Sequence, residues 1–209
     1  MKNGLIVLFV IFRAWTLAEA QTVNQINTET EAGTDGSGND FISQYVFFDH
    51  NVQGKAVGLS ALGRYTNVQD SVHRGEFGLG PNFHFKKGFL NTYLGGTTDQ
   101  RLMLAVVGSF SLPGGLSFVG ISDPKVPIVN FLNGTRQTTT WYRKVWVGKG
   151  SFWFRWEDLH VIRFGEAFSR IGGEVRIHPA KVVELYGNPF FDSISGKVGF
   201  QVGVRIKLL

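Results

Sequence analysis

Apolar and polar residues alternate over most of this 209-residue chain. In the segment "GEFGLGPNFHFK", Phe77, Leu79, Pro81, Phe83 and Phe85 share one side of an extended chain. Glu76, Gly78, Gly80, Asn82, His84 and Lys86 share the other. A strand sends successive side chains to opposite faces, so a period of two reads as a strand with two unlike faces. The pattern recurs in "LMLAVVGSFSL", in "RIGGEVRIH" and in the closing "KVGFQVGVRIKLL". These runs are ten to twelve residues long, about the ~9–11 that a tilted membrane-crossing strand needs. No segment after the N-terminal region approaches the ~18 consecutive apolar residues of a membrane helix.

Connections between the runs add a second pattern. Tight turns are expected at 86–88, 113–115, 148–150 and 179–180. Longer polar connections are expected at 66–74, 97–100, 122–137 and 188–196, with a short one near Gly165-Glu166. Ten strands fit, at 54–65, 75–86, 88–97, 101–112, 115–122, 138–148, 151–164, 167–178, 181–187 and 197–208; eight and twelve are the alternative even counts. All tight turns then lie at one end and all longer loops at the other, as in outer-membrane barrels with a short periplasmic side. The segment 41–50, "FISQYVFFDH", reads as a strand with no place in this scheme. Alternation is lost at Glu157-Asp158, where a bulge is expected. Pro81, inside a strand, has no account at this level.

Composition narrows the choice. Charged residues make up 18% of the chain, with 27 Gly and 19 Phe, which suits strands and tight turns better than a helical bundle. The formal net charge of +5 is spread along the chain without a basic run, which weighs against nucleic acid as a partner. With no Cys, disulfides, thiolate metal sites and cysteine nucleophiles are excluded. The start reads as a signal peptide over 1–20: Lys2, the apolar run "LIVLFVIF", then Ala18-Glu19-Ala20 at cleavage-site spacing. Residues 21–40 are polar, with Val23 and Ile26 their only large apolar side chains, and read as a flexible leader. Residues 41–209 are then one domain.

Period-two alternation does not say which face is inside. The apolar faces here are continuous and large. The polar faces mix Gly with Arg, Glu, Gln and His, which suits a narrow interior. Tyr65, Phe85, Phe89, Trp141, Trp146, Trp153, Trp156 and Tyr186 fall near strand ends, as interfacial girdles do. On these features the chain resembles a small bacterial outer-membrane β-barrel. The resemblance covers the signal peptide and residues 54–209. It implies an all-β, closed, antiparallel up-and-down transmembrane barrel of about ten strands in the Gram-negative outer membrane. It further implies surrounding lipid and lipopolysaccharide, and a barrel-assembly machinery that reads the last strand. Members usually end on an aromatic residue; this chain ends Leu208-Leu209.

The expected interior or pore-lining residues are Glu76, His84, Arg170, Glu174, Arg176, His178, Arg205 and Lys207, a polar and net basic set. Their expected role is a buried Arg–Glu network, or the lining of a narrow passage for small solutes. Two other functions are weighed. A lipid-modifying acyl hydrolase or transferase needs a nucleophile and a base, for which "DSVHR" offers Ser71 and His73, with Asp70 on the opposite face. A soluble periplasmic barrel could instead carry an apolar ligand inside. No cofactor is implied. His50, His84, His160 and His178 are isolated, so no metal site is expected. Asn133-Gly134-Thr135 is a glycosylation sequon, idle in a bacterial chain.

Overall fold

The computed structural model describes residues 22–34, 40–52, 55–68, 72–127, 139–162 and 165–208. They form a closed antiparallel barrel. The strands are β1 (Thr22–Thr34), β2 (Asp40–Val52), β3 (Val57–Val68), β4 (Val72–Phe85), β5 (Gly88–Thr97), β6 (Arg101–Ser111), β7 (Ser117–Pro127), β8 (Thr140–Lys149), β9 (Phe152–Val161), β10 (Gly165–Ala180), β11 (Val183–Asp192) and β12 (Lys197–Leu208). Each strand pairs with its neighbours in sequence, and β12 closes the ring on β1 with Glu29 opposite Arg205 and Gly33 opposite Gln201.

The strand count is therefore twelve, not ten, and both added strands lie near the start. The stretch expected as a flexible leader carries β1, and the unplaced 41–50 segment lies within β2. Low hydrophobicity misled the reading of 21–40. A strand in a closed sheet has its backbone groups paired on both edges, here by β2 and β12, so it needs no large apolar face of its own. The outward row of β1 is modest, with Ile26, Thr28, Thr30 and Ala32. Its inward row supplies Glu29 and Glu31. The remaining ten strands overlap the expected segments, but β3, β4 and β11 run into stretches expected as longer loops. The connections there shrink to 69–71 and 193–196, as short as those at the other end, and 128–139 stays long. Tight turns at 86–87, 112–116, 150–151 and 181–182 share one end with the start of β1 and the end of β12.

Two local irregularities resolve. No bulge occurs at Glu157-Asp158: β9 stays in continuous register with β8, and the shift lies on β10 between Glu166 and Phe168. The alternation fails because Asp158 is a carboxylate on the outward face, opposite Arg143 of β8. Pro81 sits at a gap in the β4–β5 ladder, between the pairs Leu79–Leu94 and Asn82–Asn91. Having no N–H, proline belongs where a ladder bond is missing, and the Thr92 hydroxyl donates to its carbonyl at 3.1 Å. Beside it, a Cβ on Gly80 would lie 2.0 Å from the Thr92 carbonyl oxygen, so only glycine permits this backbone approach.

The distribution of side chains is the reverse of a water-soluble domain. Val198 is 77% exposed and Phe152 74%, whereas Arg155 and Lys144 are each 1% exposed. Outward rows carry Phe77 and Leu79, Leu102 and Leu104, Ile171, Val175 and Ile177, and Val198, Phe200 and Val202, all exposed. The lumen holds one apolar cluster, Leu62, Tyr93, Met103, Ala105 and Val107, on the β3–β6 wall. Charged side chains fill the lumen on the β8–β12 side.

Candidate functional site

Alternation along the strands builds the luminal site. β1 contributes Glu29 and Glu31, β8 Lys144, β9 Arg155 and Glu157, β10 Arg170, Glu174 and Arg176, β11 Glu184 and Asp192, and β12 Arg205. Each is an inward residue flanked by outward ones. The Lys144 ammonium lies 3.1 Å from Glu31, and Arg155 pairs with the same carboxylate. Arg155 also reaches Glu157 at 2.8 Å and Glu174 at 3.3 Å. Arg170 meets Glu157 at 3.2 Å. Arg176 meets Glu174 at 2.6 Å. Arg205 spans Glu29 at 3.2 Å, Glu174 at 3.2 Å and Glu184 at 2.5 Å.

A second cluster lies on the facing wall. Arg64 of β3 approaches Glu76 at 3.6 Å and Asp123 at 3.5 Å, and Lys125 of β7 approaches Glu76 at 3.1 Å. Tyrosines join the clusters. The Arg64 guanidinium sits over the Tyr45 and Tyr142 rings at 4.9 and 5.1 Å, and the Tyr142 hydroxyl donates to Glu157 at 3.3 Å. Trp146 closes the assembly by donating to Glu174 at 3.0 Å. An unpaired charge at this depth would cost several kcal/mol. Pairing is therefore required, and among the described residues of the two clusters seven cations meet eight carboxylates. These clusters are thus not net basic, contrary to the expectation from sequence.

A third group lies at the long-loop mouth, around the β5–β6 turn. Asp99, in the β5–β6 turn, lies 2.9 Å from both Arg74 and Arg101 and accepts a hydrogen bond from the Thr97 hydroxyl. Partial burial pushes its carboxyl up. The Thr97 hydrogen bond and the two guanidiniums outweigh that and hold it below the usual carboxylate range.

The residues singled out from sequence divide as follows. Glu76 belongs to the Arg64–Lys125 cluster; Arg170, Glu174, Arg176 and Arg205 belong to the larger network. His84 faces inward toward the short-turn end, with its Nε2 2.8 Å from the Asn51 side-chain oxygen. His178 pairs with Glu184 at 3.0 Å. Lys207 is exposed at the end of β12, on the inward row opposite Asn27. Ser71 lies outside the described residues. His73 sits on the outward face of β4, its Nδ1 3.3 Å from the Tyr65 hydroxyl.

Several members of the site were missed. Arg64, Asp123, Lys125, Lys144, Arg155 and Glu157 obey the same period of two and were findable: in "FWFRWED", Trp153, Arg155 and Glu157 form one row. Glu29 and Glu31 had no such signal, because no apolar row frames them.

No family model and no curated relative matches the sequence. Solved structures do resemble the fold. The NanC porin superposes with a TM-score of 0.56 at 12% identity, covering 87% of this chain and 100% of that one. The KdgM porin gives 0.52 at 10% identity, covering 88% and 99%. It is also known in complex with disordered oligogalacturonate. The outer membrane protein Omp33 of Acinetobacter baumannii gives 0.50 at 7% identity, covering 88% and 97%. The barrel described here thus has the fold of bacterial outer-membrane porins.

Proposed function

We propose that this chain is an outer-membrane barrel that passes small solutes through a narrow, charge-lined lumen. The observation that carries the reading is the inverted burial, with apolar rows exposed around a closed ring and ion pairs packed inside it. Such a surface is stable only against hydrocarbon, and a ring without edges satisfies the backbone groups that lipid leaves unpaired. A soluble carrier of apolar ligands needs the opposite lining. Its short-turn end faces the periplasm, and its neighbours are outer-membrane lipid, including lipopolysaccharide.

The network sets the size of what passes. Lys144 and Arg155 reach from β8 and β9 to Glu31 on β1, so side chains cross the lumen from wall to wall. A solute must move between paired charges, which favours ions and small polar molecules over large ones. The test is single-channel recording of the purified chain in a planar bilayer. The expected result is small, discrete conductance steps that grow when Lys144 and Glu31 are both replaced by Ala. Absence of any conductance, in the parent and in that double variant alike, refutes the permeation role.

A further inference from the structure

The two rims of the barrel differ in charge. At the long-loop end, described charges of both signs pair, as in the Arg74–Asp99–Arg101 group. At the short-turn end, Lys55, Lys86, Lys87, Lys149 and Lys181 are all exposed. They lie in or beside four connections, β2–β3, β4–β5, β8–β9 and β10–β11, spread around the ring. None of the described residues in these connections is an acid. The nearby carboxylates Asp49 and Glu184 face the lumen and are engaged there, Asp49 by the Asn91 amide and Glu184 by Arg205 and His178.

Exposed apolar side chains adjoin three of these lysines. Phe85 stands immediately before Lys86, Phe152 soon after Lys149, and Val182 next to Lys181, all three apolar side chains exposed. A lysine there can lay its alkyl stem along the apolar surface and hold its ammonium at the level of lipid headgroups. Lys149 bends toward the neighbouring turn, donating to the Gly114 carbonyl at 3.4 Å.

The geometry points to a collar for anionic phospholipid headgroups in the leaflet that meets the short turns. The arrangement favours a leaflet over a soluble acidic partner. The lysines lie in or beside four connections around the perimeter, and a soluble partner would meet only one arc of them. A leaflet meets all of them at once, and a lysine near an anionic surface gains enough to enrich such a lipid several-fold. This inference rests on the membrane reading.

The experiment folds the full chain into vesicles of phosphatidylcholine alone or with phosphatidylglycerol, and reads insertion by flotation. Spin-labelled phosphatidylglycerol and phosphatidylcholine then report which lipid occupies the barrel surface. The expected result is a preference for phosphatidylglycerol of roughly fivefold at low salt, falling as salt screens it. Lys55→Gln, Lys86→Gln, Lys87→Gln and Lys181→Gln together should bring the ratio near one, while Lys197→Gln at the opposite rim leaves it unchanged. Insertion with equal occupancy of both lipids overturns the collar alone. An equal loss in the Lys197→Gln control, or an unchanged ratio in the fourfold variant, does the same. Failure to insert into either vesicle overturns the membrane reading and the collar together.

Discussion

Lys144 of β8 and Glu31 of β1, 113 positions apart in sequence, meet inside the barrel at 3.1 Å, with Glu31 3% exposed. Glu31 also holds Arg155, so one carboxylate balances two buried cations. Glu31→Ala leaves both under-compensated and should lower stability by roughly 3–5 kcal/mol. Urea unfolding of the refolded barrel, followed by tryptophan fluorescence, checks this. A loss below 1 kcal/mol would mean that water or another acid takes over.

Arg143 and Asp158 form an ion pair on the outward face, with Arg143 stacked between Trp141 at 5.0 Å and Trp156 at 5.4 Å. Asp158 is fully buried there. Asp158→Ala alone should cost about 3 kcal/mol, because it removes the buried carboxylate that faces the guanidinium. Replacing both residues by Leu should be neutral or stabilising, as for other buried pairs exchanged for apolar residues. A double variant as weak as the single one would show that the pair is needed for more than mutual compensation.

Glycines in the strands separate into two kinds. A Cβ on Gly95 would lie 1.8 Å from the Phe77 carbonyl oxygen, whereas one on Gly173 meets nothing within 4 Å. Gly95→Ala should therefore force β4 and β5 apart and destabilise by about 1–3 kcal/mol. Gly173→Ala should raise stability by up to about 1 kcal/mol, through the unfolded chain. Thermal unfolding of the two variants in the same detergent compares them directly.

Acid should act at the long-loop mouth through Asp99. Its carboxyl is held below the ordinary range, so its contribution is complete above the unfolded value and is lost as pH falls through the folded one. Lowering the pH should release Arg74 and Arg101 and loosen the β5–β6 turn. Asp99→Asn should show that looseness at neutral pH and no further acid step. Carboxyl NMR titration of Asp99, with amide exchange in residues 97–101, reads both effects.

What was legible from sequence follows from what alternation encodes. Rows such as Phe77 to Phe85 and Val198 to Leu208 announce strands because their apolar residues recur at every second position. Turn lengths were a poorer guide, since the connections at 69–71 and 193–196 are as short as those at the other end. The rule of alternation places Glu76, Glu174 and Arg205 inside. It is silent on β1, whose outward row has few large apolar side chains and whose role is set by partners at the other end of the chain. It also misreads Asp158, since a charge on the outward face becomes intelligible only beside Arg143, its cross-strand partner on β8.

The seam between β1 and β12 governs how the barrel is made. Those two strands are the first and the last, so the contact that abolishes the sheet's edges has the greatest sequence separation in the fold. Such non-local pairing carries the largest loop-closure cost and is intrinsically slow. Until it forms, the outer edges of β1 and β12 are open templates for another chain. Arg205 on one side of the seam and Glu29 on the other supply an electrostatic latch at the step where the nascent sheet is most exposed to misassembly.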